Sequence, residues 1–193
     1  MNYLTTIILL LTIFSFAQSQ TSEHLAFKGV QIDGTLSEYV TKMKQNGFLL
    51  LSSENEIAIL SGDFAGYKDC KVGVYTLKQK DLVYKIAVLF PNQETWSTLS
   101  GNYFNLKQML TEKYGTPFDV VEKFDSSLQP RDDGDKMYEV GMDRCKYYSV
   151  FQTPKGSIEL AIEHDSVISK YVTLIYSDKI NSEIMKAKAK GDL

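Results

Sequence analysis

KDCKVGVYTLKQKDLVYKIAVLF, residues 68–90, carries the clearest strand pattern in the chain. Through CKVGVYTLK, β-branched and aromatic residues recur at period two. A turn signal stands at Lys80-Asp81, and LVYKIAVLF follows with apolar residues on both faces except at Lys85. Period two with β-branched residues marks strands, and a strand apolar on both sides belongs in the middle of a sheet. The stretch therefore reads as two strands joined by a tight turn, the second of them central. Its opening is echoed by DRCKYYSVFQTPKG, residues 143–156, where Cys145, Lys146 and Lys155 match Cys70, Lys71 and Lys80 at a constant offset of 145 − 70 = 75.

Working outward, EIAILSGDF precedes this region, with a turn signal at Gly62-Asp63, while FDVVEKF, CKYYSVFQT, SIELAIEH and KYVTLIYS come later. SIELAIEH alternates Ile158, Leu160 and Ile162 against Glu159 and Glu163, the pattern of a strand with one wet face. Two helices interrupt the strands. In TLSEYVTKMKQNGF, Thr35 and Glu38 form a capping box; Leu36, Tyr39, Val40 and Met43 share one face, and Gly47 stops the helix. In NQETWSTLSGNYFNLKQMLTEKYGTP, Asn92 or Thr95 caps, and Trp96, Leu99, Tyr103, Leu106 and Leu110 recur at helical spacing before Gly115 and Pro117. Leu36, Val40 and Thr41 match Leu106, Leu110 and Thr111 at an offset of 106 − 36 = 70. The expectation is an α+β fold built by tandem duplication of a helix-plus-antiparallel-strands unit. Its repeats cover about 25–91 and 92–177, its helices pack on one face of the sheet, and a short C-terminal helix spans 178–190. In this reading Cys70 and Cys145 hold the same position in the two copies.

Before Glu23, the first charged residue, lies LTTIILLLTIFSFA, ending in Ser15, Phe16 and Ala17. An apolar run closed by small-x-small fits a signal peptide, residues 1–17, and is shorter than the roughly 20 residues of a bilayer span. No Lys or Arg precedes it, so only the terminal amine supplies positive charge there. The reading is an exported single domain, 18–193, periplasmic or secreted and without stable membrane insertion once the signal is removed. A net charge of −3 and a pI near 5.5 argue against a nucleic-acid partner, which favours clustered Lys and Arg. Only KINSEIMKAKAKGDL is locally basic, and it reads as a solvated helix with Ile180 and Ile184 inward.

Two cysteines in an oxidising compartment allow a Cys70–Cys145 disulfide, which requires Cα atoms within roughly 7 Å; equivalent places in two repeats would instead set them a repeat apart. The chain has no G-x-S-x-G, S-x-x-K or C-x-x-C string and no phosphate-cradling glycine loop. His24 reads as frayed, and His164, in Glu163-His164-Asp165, is the one imidazole beside carboxylates. QPRDDGDKMYEVGMD, residues 129–143, reads as an irregular acidic loop whose spacing does not match an EF-hand. No cofactor or metal is expected.

Twelve tyrosines point toward recognition, because a tyrosine offers contact area and a hydrogen bond at little rotamer cost. Tyr75, Tyr148 and Tyr171 fall on expected strands and Tyr138 in the acidic loop beside Asp132 and Asp133. These six are the expected binding residues. Tyr147 and Tyr148, being adjacent on a strand, face opposite sides.

IDGTLSEYVTKMKQNGF, GDFAGYKDC, LKQMLTEKYGTP, MDRCKYY and IEHD resemble a family of exported proteins from gut-dwelling Gram-negative bacteria. That family has no established activity, so the resemblance implies export and assigns no catalytic residue. The duplicated plan is more loosely similar to the β-lactamase inhibitory protein and to small outer-membrane assembly lipoproteins, where a concave sheet or its loops bind another protein. Fold likeness does not fix function. The leading expectation is a non-enzymatic binding module for a protein or peptide. The alternatives are a glycan-binding accessory and a hydrolase centred on His164.

Overall fold

The computed structural model describes residues 23–77, 80–125, 129–166 and 168–191. The expected signal peptide, 1–17, lies outside them. In chain order the elements are β1 (Ala26–Phe27), β2 (Val30–Gln31), α1 (Leu36–Gln45), β3 (Leu49–Glu54), β4 (Ile57–Phe64), β5 (Tyr67–Leu77), β6 (Leu82–Leu89), α2 (Trp96–Tyr114), β7 (Asp119–Phe124), α3 (Asp133–Gly141), β8 (Cys145–Thr153), β9 (Gly156–His164), β10 (Lys170–Asp178) and α4 (Lys179–Gly191). The fold is α+β. β1 and β2 form a small hairpin; the other strands make one antiparallel sheet in the order β3-β4-β5-β6-β10-β9-β8-β7. Four strands follow α1 as a meander and four follow α2 as another, and the two meanders meet where β6 pairs with β10.

Both main helices begin as their sequences dictate. Thr35 accepts from the Glu38 amide while Glu38 reaches back to the Thr35 amide, and at α2 it is Thr95 that caps, accepting from Thr98 N. Tyr39, Val40 and Met43 of α1 and Leu99, Tyr103, Leu106 and Leu110 of α2 enter one core. From the sheet that core takes Cys70, Val72 and Val74 of β5, Ile86 and Val88 of β6, Ile158 and Leu160 of β9, and Val172, Leu174 and Tyr176 of β10. The alternation read in the sequence is thus the burial alternation of the strands.

Several expectations change. LLLSSE, residues 49–54, is an additional strand, exposed at every position and placed at one edge of the sheet. Without alternation or burial it carried no strand signal; pairing with β4 is what makes it one. The acidic stretch expected as a loop contains α3, because Asp132 accepts from Asp135 N and caps a helix of nine residues. The cysteine echo does not mark equivalent positions: Cys70 lies on the third strand after α1 and Cys145 on the second strand after α2. Four strand steps separate them, about 19 Å at about 4.8 Å per step, so no disulfide spans them and both are free thiols.

His24 is not frayed. Its Nδ1 lies 3.1 Å from Oδ1 of Asp178, a carboxylate with no solvent exposure that also accepts from the amides of Leu25 (2.8 Å) and Asn181 (2.9 Å). Asn181 in turn donates to the carbonyls of Ile32 and Val83, at 3.1 and 2.9 Å. The start of the described chain, β6 and α4 are pinned together through these two buried polar residues. No helix among the described residues is long and apolar enough to cross a membrane.

Candidate functional site

The strand residues that alternate with the core set form a second continuous surface, and the register fixes its map. One row across the sheet reads Tyr148, Ala161, Thr173, Leu89, Lys71, Ser61. The next reads Val150, Glu159, Ile175, Ala87, Gly73, Ile59, and a third Gln152, Ser157, Ser177, Lys85, Tyr75, Ile57. Ala161, Thr173 and Ala87, at the middle of this surface, are only 5–8% exposed because larger neighbours overshadow them. The surface therefore has low points at Ala161, Thr173, Ala87 and Gly73, set among the taller Leu89, Ile175 and Tyr75.

Tyr75 is held flat. A Cβ placed on Gly73 would stand 2.9 Å from Cε2 of the Tyr75 ring, so the ring lies back over the glycine two residues earlier. Lys85, its cross-strand partner, sets its ammonium 4.2 Å from the ring centroid on β5 and 5.8 Å from that of Tyr84. Gly73, Tyr75 and Lys85 make one layered platform. Tyr148 donates to Asp119 Oδ2 at 3.3 Å, and partial desolvation followed by the Asp119 charge pushes its phenol above the ordinary range. Tyr171 stands opposite Glu163, with its phenol likewise raised, first by burial and then by Asp165 and Glu163.

The other expected binding residues are engaged elsewhere. Asp132 caps α3, and Asp133 Oδ2 accepts from the amide and hydroxyl of Ser97, at 3.1 and 2.8 Å, fastening α3 to the start of α2. Tyr138 belongs to α3, its ring 5.7 Å from the Arg144 guanidinium, which makes a bidentate pair with Glu139. The structure thus keeps Tyr75, Tyr148 and Tyr171 on one surface and separates Tyr138, Asp132 and Asp133 from it. Sequence reasoning did not include Gly73 and Lys85 among the site residues, although both left a signal: a glycine inside a strand marks a close approach, and Lys85 is the lone charge in an apolar run.

His164 borders a cavity of about 220 Å³ with Asp143, Cys145 and Glu163. It lies where the β8–β9 ladder stops at Tyr148 and Ala161 while β9 continues along β10 to His164. His164 Nε2 is 2.8 Å from Asp143 Oδ1, and Nδ1 is buried with no hydrogen-bond partner among the described residues. Burial, with Glu163 adding to it, pushes the Cys145 thiol up to about 12, and burial also raises the Glu163 carboxyl. A thiol so held is protonated at neutral pH and is a poor nucleophile. No group of three His, Cys, Asp or Glu suited to a metal occurs among the described residues.

Fold and surface together define an α+β protein with one eight-stranded antiparallel sheet and a mixed tyrosine-bearing surface. No protein-family model, curated protein or solved structure matches the chain.

Proposed function

We propose that this is an exported, non-enzymatic binding module that grips a protein or peptide on the sheet face that α1 and α2 leave open. The sheet, on this reading, is a tandem duplication of a helix-plus-four-strand unit, with α3 inserted in the second copy. The strand order supports the duplication, since it reads the same outward from the β6–β10 seam in both directions. The observation that carries the function is the set of low points at Gly73, Ala87, Ala161 and Thr173 with Tyr75, Tyr148 and Tyr171 on the same surface. A wide surface with rigid aromatic anchors suits a protein interface. Tyr75, Tyr148 and Tyr171 occupy three strands and three different rows, a poor match to the aligned rings of a sugar platform, which favours protein over glycan. The apolar run before Glu23 supports export.

The test is capture from envelope and culture fractions by the wild-type chain and by a Tyr75→Ala/Tyr148→Ala variant of unchanged circular dichroism. The expected result is a partner bound directly by the purified wild type and weakened in the variant by about 1–3 kcal/mol per anchor. Equal affinity of the two would remove this face from the interaction.

A further inference from the structure

Beside the tyrosine platform the third row of the sheet runs into an open cavity of about 500 Å³, bordered also by α4. The groups that define its chemistry are Lys85, Lys179 and Lys186 and the hydroxyls of Ser157, Ser177 and Ser182. Ser157, Ser177 and Lys85 are consecutive members of one cross-strand row, so their spacing is set by the ladder. None of the three lysines makes an ion pair among the described residues. Lys85 rests instead over aromatic rings, which hold the ammonium in place and leave its charge uncompensated. Two carboxylates share the wall: Glu183 is exposed, and Asp178 is fully buried with its oxygens taken by Leu25, Asn181 and His24. The balance is positive in a chain whose net charge is −3. A local field against the sign of the whole attracts and orients an anionic group.

We propose that this cavity receives a carboxylate-bearing segment of the partner, an inference that rests on the binding-module reading and names the chemistry the partner must present. Ammonium groups and hydroxyls supply single, adjustable donors, and their position beside the Tyr75 platform suits an anion carried on a peptide segment rather than a free one. Glutamate or aspartate side chains next to the apolar residues that cover the platform satisfy both parts of the surface.

The experiment is an amide chemical-shift titration of the ¹⁵N-labelled protein with capped tetraglutamate, capped tetraglutamine and inorganic phosphate. The expected result is perturbation at Ser157, Ser177 and Ser182, with tetraglutamate bound at least about five-fold more tightly than tetraglutamine and weakened by added salt. The preference disappears in Lys85→Gln/Lys186→Gln and survives in Lys85→Arg/Lys186→Arg, which separates lost charge from lost folding. Equal response to the two peptides, perturbation confined to other residues, no perturbation at all, or phosphate bound more tightly than tetraglutamate would overturn the proposal. If the captured partner depends on Tyr75 and Tyr148 but not on the lysines, the cavity assignment falls and the module stands. If capture ignores the tyrosines, the module reading falls, whatever the titration gives.

Discussion

Tyr39 and Tyr103 are the buried tyrosines of α1 and α2, each with no solvent exposure, and their hydroxyls meet opposite fates. Tyr103 donates to Glu122 at 3.2 Å and shares a 2.7 Å hydrogen bond with the buried hydroxyl of Ser149. Tyr39 has no hydrogen-bond partner among the described residues. Burial pushes both phenols well above their ordinary range. Around α2 the buried hydroxyl belongs to a polar network, extended by Lys107 to Glu122, and around α1 the core is apolar and the Tyr39 hydroxyl meets no partner among the described residues. The two sheet edges diverge in the same sense. β7 carries Asp119, Glu122 and Lys123, while β3 offers Leu49, Leu50 and Leu51, exposed by 71, 40 and 57%. The surroundings of α1 and of α2 thus treat buried hydroxyls and exposed sheet edges differently, so a helix packed on this sheet does not require either solution.

The largest effects are expected at two glycines. A Cβ on Gly156, where φ is +153°, would stand 2.1 Å from the Ser177 carbonyl oxygen, whereas one on Gly62 would stand 2.5 Å from the Phe48 ring. Backbone cannot step aside as a ring can. Gly156→Ala is expected to cost about 3 kcal/mol or more, and Gly62→Ala about 1–3 kcal/mol, by urea denaturation. Equal losses would mean that Phe48 is as rigid as the β10 backbone.

The two buried helix tyrosines should respond differently to loss of their hydroxyls. Tyr103→Phe should cost about 1–2 kcal/mol, because Ser149 is left buried without its partner, while Tyr39→Phe should be neutral or stabilise by up to about 1 kcal/mol. Matching losses at both positions would show that Tyr39 is satisfied in solution.

Smaller effects follow at the edges. Leu51→Lys is expected to change stability by less than about 0.5 kcal/mol and to reduce concentration-dependent light scattering, since a charge on an edge strand opposes strand addition. Lys123→Leu on β7 should do the reverse. Unaltered scattering in both variants would remove the edges from the comparison.

The cysteines are expected to leave stability untouched and to report on geometry alone. Without reductant, both thiols should titrate in denaturant, while in the folded protein at pH 8 alkylation should be slow at Cys70, held up at about 11, and at Cys145, held up at about 12. Recovery of a disulfide would contradict the strand order.

Local patterns were legible in the sequence wherever one residue type has one physical use. The capping box at Thr35 and Glu38, the apolar stripe from Trp96 to Leu110, and the alternation of Ile158, Leu160 and Ile162 each state a periodicity that the backbone must follow. Tyr75, Tyr148 and Tyr171 were legible as strand tyrosines off the core for the same reason. The rest depended on partners far away in the chain. LLLSSE becomes a strand through β4, and Asp133 becomes a fastener of α2 through Ser97, 36 residues before it. His24 is ordered by Asp178 at a separation of 154 residues. The repeated cysteine-lysine string suggested equivalence, yet strand composition is similar at any buried position and only strand order distinguishes the third from the second. Periodicity, a local property, sufficed for α1, α2 and the strands from β4 to β10 and for which side of those strands is apolar, but it revealed neither β3 nor α3. Which strands are neighbours, which carboxylates are consumed as caps, and that Lys85 rests on Tyr75 in the lining of a cavity came only with the tertiary structure, because these are fixed by contacts between residues the chain brings together on folding.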